Sequence, residues 1–188
     1  MRKLPFKGFD NRELRFIVGV LLVVGLASIF NFERAYVRSR DVQRKNDLKH
    51  IATALASYAY DFGSYPASRD GKILACGIPE QLRPCEWGAD GLRDISDLSY
   101  PAYTDPLPND PQQSEEKARY IYKSNTQNFQ LFASLENKMD DEYNRKVADL
   151  QLPCMGRICN FMVTSNSAIV GVLDEKSATE SVLPNGKK

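Results

Sequence analysis

The most constraining feature of the sequence is one helix-compatible stretch from Phe16 to Phe62. Its first fifteen residues, 16–30, carry no charge, and neither proline nor glycine occurs from Glu33 to Phe62. Because nothing in the second part breaks a helix, we predict one helix of about 45 residues and about 70 Å. The apolar part suits lipid or a bundle of like helices, and the rest suits contact with a folded head.

Charge is distributed unevenly along the 188 residues. Residues 1–15 contain five Lys or Arg against two acids, and residues 31–50 contain six against three, so each flank of the uncharged run has a net charge of +3. Since the whole chain is +1, the remainder carries −5. Basic flanks and a mildly acidic head favour an anionic membrane surface as partner, and nucleic acid is not expected.

We predict four segments along the chain. Residues 1–15 form a basic leader, and residues 16–32 form the transmembrane half of the helix. Residues 33–173 form the head, in which 33–62 is the amphipathic half of the helix. Residues 174–188 lack aromatic side chains, so we expect a flexible tail there.

The second half of the helix changes character along its length. It is polar nearly all round from Glu33 to Asp47, and beyond that point apolar residues recur every three or four positions. This spacing places them on one helical face, which we expect to dock on a sheet. Gly63 is a suitable C-cap, and Pro66 prevents the helix from resuming. The residues of the predicted apolar face are Leu48, Ile51, Leu55, Tyr58 and Phe62.

The rest of the head indicates a small antiparallel sheet and therefore an α+β fold. Residues 129–136 alternate apolar and polar side chains as a half-buried strand does, and a polar turn at 124–128 joins them to a strand at 119–122. Residues 67–101 are predicted as a loop-rich connection. The remaining predictions are one helical turn at 94–99, a short helix at 140–150, and a second hairpin that pairs 160–164 with 168–173.

The chain has four cysteines, Cys76, Cys85, Cys154 and Cys159, all beyond the apolar run. In an exported head, an even number of cysteines indicates disulfides. We favour the pairs that are local in sequence, Cys76–Cys85 and Cys154–Cys159. A zinc site built from all four thiolates is the alternative, although neither pair has the two-residue spacing typical of zinc knuckles.

Three devices fit the leader and the apolar run. A secretory signal needs a small-x-small cleavage site, which Gly25-Leu26-Ala27 provides. A simple anchor needs about 20 apolar residues, and Arg15 and Arg34 would lengthen the uncharged run by reaching for the headgroups. The third device is specific: Lys7-Gly8-Phe9 is followed by Glu13, the fifth residue counted from Phe9.

This third pattern resembles the type IV pilin and type II secretion pseudopilin family. Precursors in that family have a short basic leader ending in Gly, then Phe, then Glu at the fifth position, then an apolar helix. The resemblance implies cleavage after Gly8 by a prepilin peptidase, methylation of the new Phe9 amine, and export of the head to the periplasm or cell surface. It also implies assembly in which Glu13 faces the amine of a neighbouring subunit.

Two further segments look like the same family. The end of the helix, from Arg40 through Gly63-Ser64-Tyr65-Pro66, is similar to the helix end of pilin-like proteins. The strands Tyr120-Ile121-Tyr122 and Phe129–Glu136 are similar to the pilin-like sheet, so the resemblance spans about Gly8 to Asn137. It implies a structural subunit of a type IV pilus or type II secretion-like pseudopilus, whose partners are the membrane and like subunits.

Charged residues in the first turns favour a different outcome. The family is apolar in this region, whereas this chain has Asp10, Asn11, Arg12 and Arg15. A charged side chain costs about 2.5 kcal/mol or more inside a bilayer. The alternative is therefore a monomeric, membrane-anchored binding module outside the cytoplasm, with a pilin-like fold and an uncut leader.

Signs of catalysis or of a cofactor are few. The single histidine, His50, lies on the polar side of the helix without a nucleophile at a recognisable spacing, so we do not expect an enzyme. The Asp-Pro steps at Asp105 and Asp110 resemble the stretch ahead of the sheet in the major pseudopilin, and that family binds calcium in a nearby loop. The resemblance implies these two residues as calcium ligands, whereas turn-forming aspartates are the plainer interpretation.

Overall fold

The computed structural model describes residues 10–112, 119–154, 156–166 and 171–173. The predicted α+β fold is confirmed: one long N-terminal helix accompanies two small antiparallel sheets of three strands each. The elements in chain order are α1 (Asn11–Phe62), β1 (Ala67–Arg69), β2 (Lys72–Ile78), β3 (Gln81–Pro84), β4 (Ile121–Ser124), β5 (Phe129–Ala133), α2 (Arg145–Ala148) and β6 (Phe161–Thr164).

The chain divides into two compact units, Met1–Ser39 and Arg40–Lys188, and the boundary falls within α1. In the second unit, the helix face predicted from the apolar spacing forms the core. Leu48, Ile51 and Leu55 are fully buried among side chains from both sheets. Burial of this stripe, rather than intrinsic propensity, stabilises the helix where it meets the head.

The end of α1 follows the predicted signals. Gly63 has φ +76, and its N–H donates to the carbonyl of Ala59 at 2.8 Å, which closes the last helical turn. Gly is favoured at this left-handed position because it has no Cβ. The chain then leaves the helix through Pro66 and enters the first sheet.

The prediction of a loop-rich connection over 67–101 is wrong for its first part. Residues 67–84 form the sheet β1-β2-β3, which is antiparallel throughout. The first hairpin turns at Asp70-Gly71, whose φ values of +53 and +72 match the primed turns that suit right-twisted strands. Residues 73–76 of β2 are buried, so this strand is a core element rather than a surface loop.

The helical turn predicted at 94–99 is also wrong. Asp94 accepts hydrogen bonds from the backbone of Ser96 and Asp97, and Asp97 accepts one from the backbone of Ser99. Side chains that bond to the backbone two or three residues ahead form turns that compete with helix. The segment is accordingly a succession of bends and turns.

The second sheet has the order β4-β5-β6, and the hairpin predicted around 124–128 joins its first two strands. β6 pairs with β5 over 161–164, close to the strand predicted at 160–164. Its predicted partner at 168–173 is described only over 171–173, and those residues are not a strand. The two sheets are joined where the N–H of Tyr122 donates to the carbonyl of Gly71 at 2.8 Å.

Both faces of β5 are buried, although its alternating sequence predicts one solvent-facing side. Gln130 is fully buried: its amide donates to the carbonyl of Gly171, and its Oε1 accepts the N–H of Leu173. Phe132 packs in a second apolar cluster with Val147, Cys154 and Cys159. Described residues between Val147 and Leu173 therefore cover the face of β5 that the alternating sequence predicts to be exposed to water.

The described part of this C-terminal segment is mostly irregular. The helix predicted over 140–150 is shorter, with Asn144 as N-cap accepting from the backbone N–H groups of Lys146 and Val147. The predicted leader residues 1–9 and the predicted tail at 174–188 lie outside the described residues.

Candidate functional site

The first turn of α1 contains the carboxylate that the resemblance assigns to assembly. The carbonyl of Asp10 accepts the first helical hydrogen bond from Leu14, and Glu13 reaches back to accept the N–H of Asp10 at 3.2 Å. This is the return bond of a capping box, and it explains why the helix begins before the predicted Phe16. Gly8 and Phe9, the other predicted processing residues, lie outside the described residues.

The first unit exposes a continuous apolar surface. Phe16 is 74% exposed and Val23 is 68% exposed, and none of the apolar window is buried. At Gly19 and Gly25, an added Cβ would meet no atom within 4 Å. By length and composition this helix can cross a membrane. The exposed apolar side chains are Phe16, Ile17, Val18, Val20, Leu21, Leu22, Val23, Val24 and Leu26.

An exposed surface of this kind needs a cover. Contiguous apolar patches beyond a few hundred Å² mark interaction or membrane sites on proteins. With no charge between residues 16 and 32, the cover has to be apolar as well. Lipid and helices of the same kind both meet this requirement.

The second unit contains a buried cluster of charges that we call the head anchor: Arg40, Asp41, Arg44, Asp110 and Glu136. Arg44 is at its centre and is fully buried. It donates to both carboxylate oxygens of Asp110, at 2.8 and 3.0 Å, and through Nη1 to Asp41 at 2.8 Å and Glu136 at 2.7 Å. One side chain of the helix thus binds two separate segments of the head.

Two further sets of interactions belong to the head anchor. Arg40, one turn earlier, forms a bidentate pair with Glu136 at 2.6 and 2.7 Å. Asp41 also accepts hydrogen bonds from the backbone N–H groups of Glu136 and Asn137 at 2.8–3.1 Å, so the backbone donors just after β5 have a partner. Every carboxylate in the head anchor therefore has several donors, as burial requires.

The electrostatics of the head anchor favour its charged form. Burial raises the pKa of Glu136, but hydrogen bonds and charge from Arg40 and Arg44 outweigh it and lower that pKa to about 2. Burial alone would lower the pKa of Arg44, and its bonds to Asp110, Glu136 and Asp41 raise it instead. Glu136 and Arg44 accordingly stay ionised across the neutral range, and their ion pair fixes the helix to the head.

Sequence reasoning missed the head anchor. The stretch 33–47 was predicted as polar nearly all round, which gives no reason for a buried arginine. The available signal was local: Asp41 and Arg44 are three apart, and Arg40 and Arg44 are four apart, so all three share a helical face. Their partners lie 66 to 96 residues away in sequence and could not be identified from spacing.

The two predicted calcium ligands are each paired with an arginine. Asp110 binds Arg44 within the head anchor, and Asp105 pairs with Arg93 on the surface. Among the described residues, no group of three or more His, Cys, Asp or Glu side chains is arranged to hold a metal ion. Calcium binding at these positions stays a prediction from the resemblance.

A cavity of about 520 Å³ lies between α1 and the loop 103–108. The Nε2 of His50 lies 3.0 Å from the hydroxyl of Thr104. Asp47 accepts a hydrogen bond from Tyr120 at 2.7 Å, and burial raises the pKa of this carboxyl. The lining residues are Asn46, Asp47, His50, Tyr103, Thr104, Asp105, Pro106 and Pro108, which supply no serine or cysteine beside the histidine.

The favoured cysteine pairing is confirmed. Cys76 is bonded to Cys85 and Cys154 to Cys159. The first disulfide joins β2 to the residue just after β3, and the second lies in the apolar cluster against Phe132. The alternative of a four-thiolate zinc site is therefore ruled out for this state of the protein.

Comparison with known proteins adds no relative. No protein-family model, no curated protein and no solved structure matches the chain.

Proposed function

We propose that the chain is a structural subunit of a type IV pilus or a type II secretion-like pseudopilus and assembles through its N-terminal helix. The observation that carries the proposal is the exposed, uncharged stretch at the start of a helix whose later turns form the core of an α+β head. The Gly8-Phe9 and Glu13 pattern and the Gly63-Ser64-Tyr65-Pro66 ending support the same family.

In this proposal, assembly exchanges one apolar environment for another. Before assembly the stretch 16–32 lies in lipid, and afterwards it packs against the same stretch of other subunits. Because lipid tails and leucine side chains are similarly apolar, close packing and contacts between heads supply the preference for the assembled state.

The two disulfides support a head outside the cytoplasm. Structural disulfides persist in oxidising compartments such as the periplasm and are rare in the cytosol. If residues 1–15 stay on the cytoplasmic side, as in the family that the chain resembles, a single crossing by the apolar stretch places the cysteines in such a compartment.

Sequencing the mature N-terminus tests the processing step. The full chain is expressed in cells with and without a prepilin peptidase. We expect a chain that starts at Phe9 only where the peptidase is present. A start at Ser28 in both strains would indicate an ordinary secreted protein and would contradict the proposal.

Cross-linking tests the assembly step. Single cysteines are introduced between Val18 and Leu26, one position at a time, and the membranes are oxidised. We expect cross-linked dimers whose yield varies with a helical periodicity along the stretch, because each chain then has one free thiol and can form one new disulfide. A strictly monomeric pattern at every position would contradict assembly through this helix.

A second candidate is a monomeric binding module anchored outside the cytoplasm. The observation in its favour is the charged first turn, where Asp10, Arg12, Glu13 and Arg15 are all exposed. These side chains hinder close packing of neighbouring helices, because each would have to be desolvated. The cross-linking experiment separates the two candidates, since this one predicts monomers alone.

A further inference from the structure

The lysine and arginine residues of α1 fall into two classes. From residue 40 onward each one forms an ion pair with a head carboxylate: Arg40 and Arg44 with Glu136, Lys45 with Asp140, and Lys49 with Glu142. The earlier ones have no ion pair within the part of the chain that the structure describes. These unpaired residues are Arg12, Arg15, Arg34 and Arg38.

Two of the unpaired arginines lie on either side of the apolar stretch, about one bilayer thickness apart. Arg15 and Arg34 are separated by nineteen positions, which corresponds to about 28 Å along a helix. The hydrocarbon core of a bilayer is about 30 Å thick. A helix that crosses upright therefore brings one guanidinium to each headgroup layer.

Arg34 and Arg38 form a pair on one side of the helix. They are four residues apart, so their side chains lie one above the other, and both are exposed. Tyr36, 64% exposed, lies between them in sequence. Exposed tyrosine beside arginine just beyond an apolar run is typical of the membrane–water interface.

No acidic side chain nearby offsets this charge fully. Between Leu14 and Arg40 the only acid is Glu33. Of the other acids in the described part of the first unit, Asp10 and Glu13 lie in the first turn, at the opposite end of the apolar stretch. A second copy aligned in parallel would place arginine beside arginine, so it supplies no matching carboxylate at this depth.

We propose that Arg34 and Arg38 bind the phosphate groups of anionic phospholipids in the leaflet that faces the head. The planar guanidinium donates two parallel hydrogen bonds to a phosphate, which makes arginine well suited to this ligand. The inference rests on the membrane crossing in the proposed function, but it does not depend on assembly or on cleavage of the leader.

The test compares lipid retention by the full chain in bilayer nanodiscs that contain equal amounts of phosphatidylglycerol and phosphatidylcholine. Lipids that stay bound are identified by native mass spectrometry at low salt. Two basic residues near an anionic surface account for roughly a 30-fold preference. We expect the wild type to retain phosphatidylglycerol and R34Q/R38Q to lose most of that preference, whereas R34K/R38K, which keeps the charge without the two parallel hydrogen bonds, keeps only part of it.

R145Q/K146Q is the matched control, because it removes two exposed charges from α2 in the head. It should retain phosphatidylglycerol as the wild type does. The proposal is overturned if R34Q/R38Q matches the wild type, or if the wild type is released as a dimer without bound anionic lipid. If the wild type does not stay in the nanodiscs, the membrane crossing in the proposed function is contradicted as well. If only the cross-linking experiment fails, assembly is contradicted and the lipid proposal is not.

Discussion

Arg44 is the side chain on which the second half of α1 and two distant segments of the head converge. It is fully buried and binds three carboxylates, of which Asp110 and Glu136 come from segments distant in sequence. A buried ion pair adds little stability compared with an apolar replacement of both partners, but loss of a single partner is costly. Loss of any one partner in the head anchor should therefore destabilise the contact between the helix and the head.

Replacing Arg44 tests this role. R44M keeps most of the volume but leaves Asp41, Asp110 and Glu136 buried without their shared cation, so we expect a loss of about 3–5 kcal/mol in the free energy of unfolding. Urea unfolding of the full chain in mild detergent, followed by the fluorescence of the buried Trp87, measures it. The exposed R145M should change stability by less than about 0.5 kcal/mol. Equal effects of the two variants would contradict the role.

Glu136 gives the head anchor a pH dependence with a defined sign. Its pKa falls from 4.5 in the unfolded chain to about 2 in the folded one, so its contribution is fully present above pH 4.5. The contribution is lost as the pH falls toward about 2, and the shift corresponds to roughly 3 kcal/mol. Unfolding at a series of pH values should show this loss in the wild type. E136Q should be less stable at pH 7 and show a smaller slope between pH 4.5 and 2.

At the scale of secondary-structure elements, two kinds of local sequence signal predict the structure correctly. Gly63 and Pro66 end the helix where the sequence predicts, and the stripe at Leu48, Ile51 and Leu55 forms the core, because caps and helical spacing act within a few residues. The first sheet was not predicted, because the surrounding stretch is rich in glycine and therefore indicates a loop. Asp70-Gly71 is nevertheless a strong hairpin signal.

What the sequence could not reveal depends on segments far apart in the chain. Gln130 looks like a solvent-facing strand residue until Gly171 and Leu173 bind its amide, 41 and 43 residues later. Arg44 likewise looks like a surface residue until Asp110 and Glu136 are placed beside it. In both cases the polar side chain is buried because groups far away in the sequence form its hydrogen bonds. The pattern of a single sequence does not indicate which groups these are.

Two glycines with similar backbone angles provide a matched test of the first hairpin. Gly71 has φ +72, and an added Cβ would come within 3.2 Å of Ile121 in the neighbouring sheet. Gly63 has φ +76 with open space around it. Alanine costs about 1–2 kcal/mol at such a backbone angle, so we expect G63A to lose about that amount and G71A to lose more. Urea unfolding of the two variants compares them, and an equal loss would show that the hairpin is not packed against β4.

At the scale of the whole molecule, the chain combines two surfaces with opposite requirements. Apolar side chains are exposed from Phe16 to Leu26, whereas the head buries its core and binds the second half of the helix through ion pairs. A change in the apolar stretch should therefore affect location and assembly without affecting the stability of the head.

Val23 is the position at which this separation can be tested. It is 68% exposed near the middle of the apolar stretch, and an arginine at the centre of a membrane helix costs about 2.5–3.5 kcal/mol. We expect V23R to reduce the fraction of the chain that resists alkaline extraction from membranes. Trp87 fluorescence should report the same urea midpoint for the head. L98R, which places the same charge at a 73% exposed position in the head, should leave extraction unchanged. If V23R resisted extraction as well as L98R does, the apolar stretch would not be what holds the chain in the membrane.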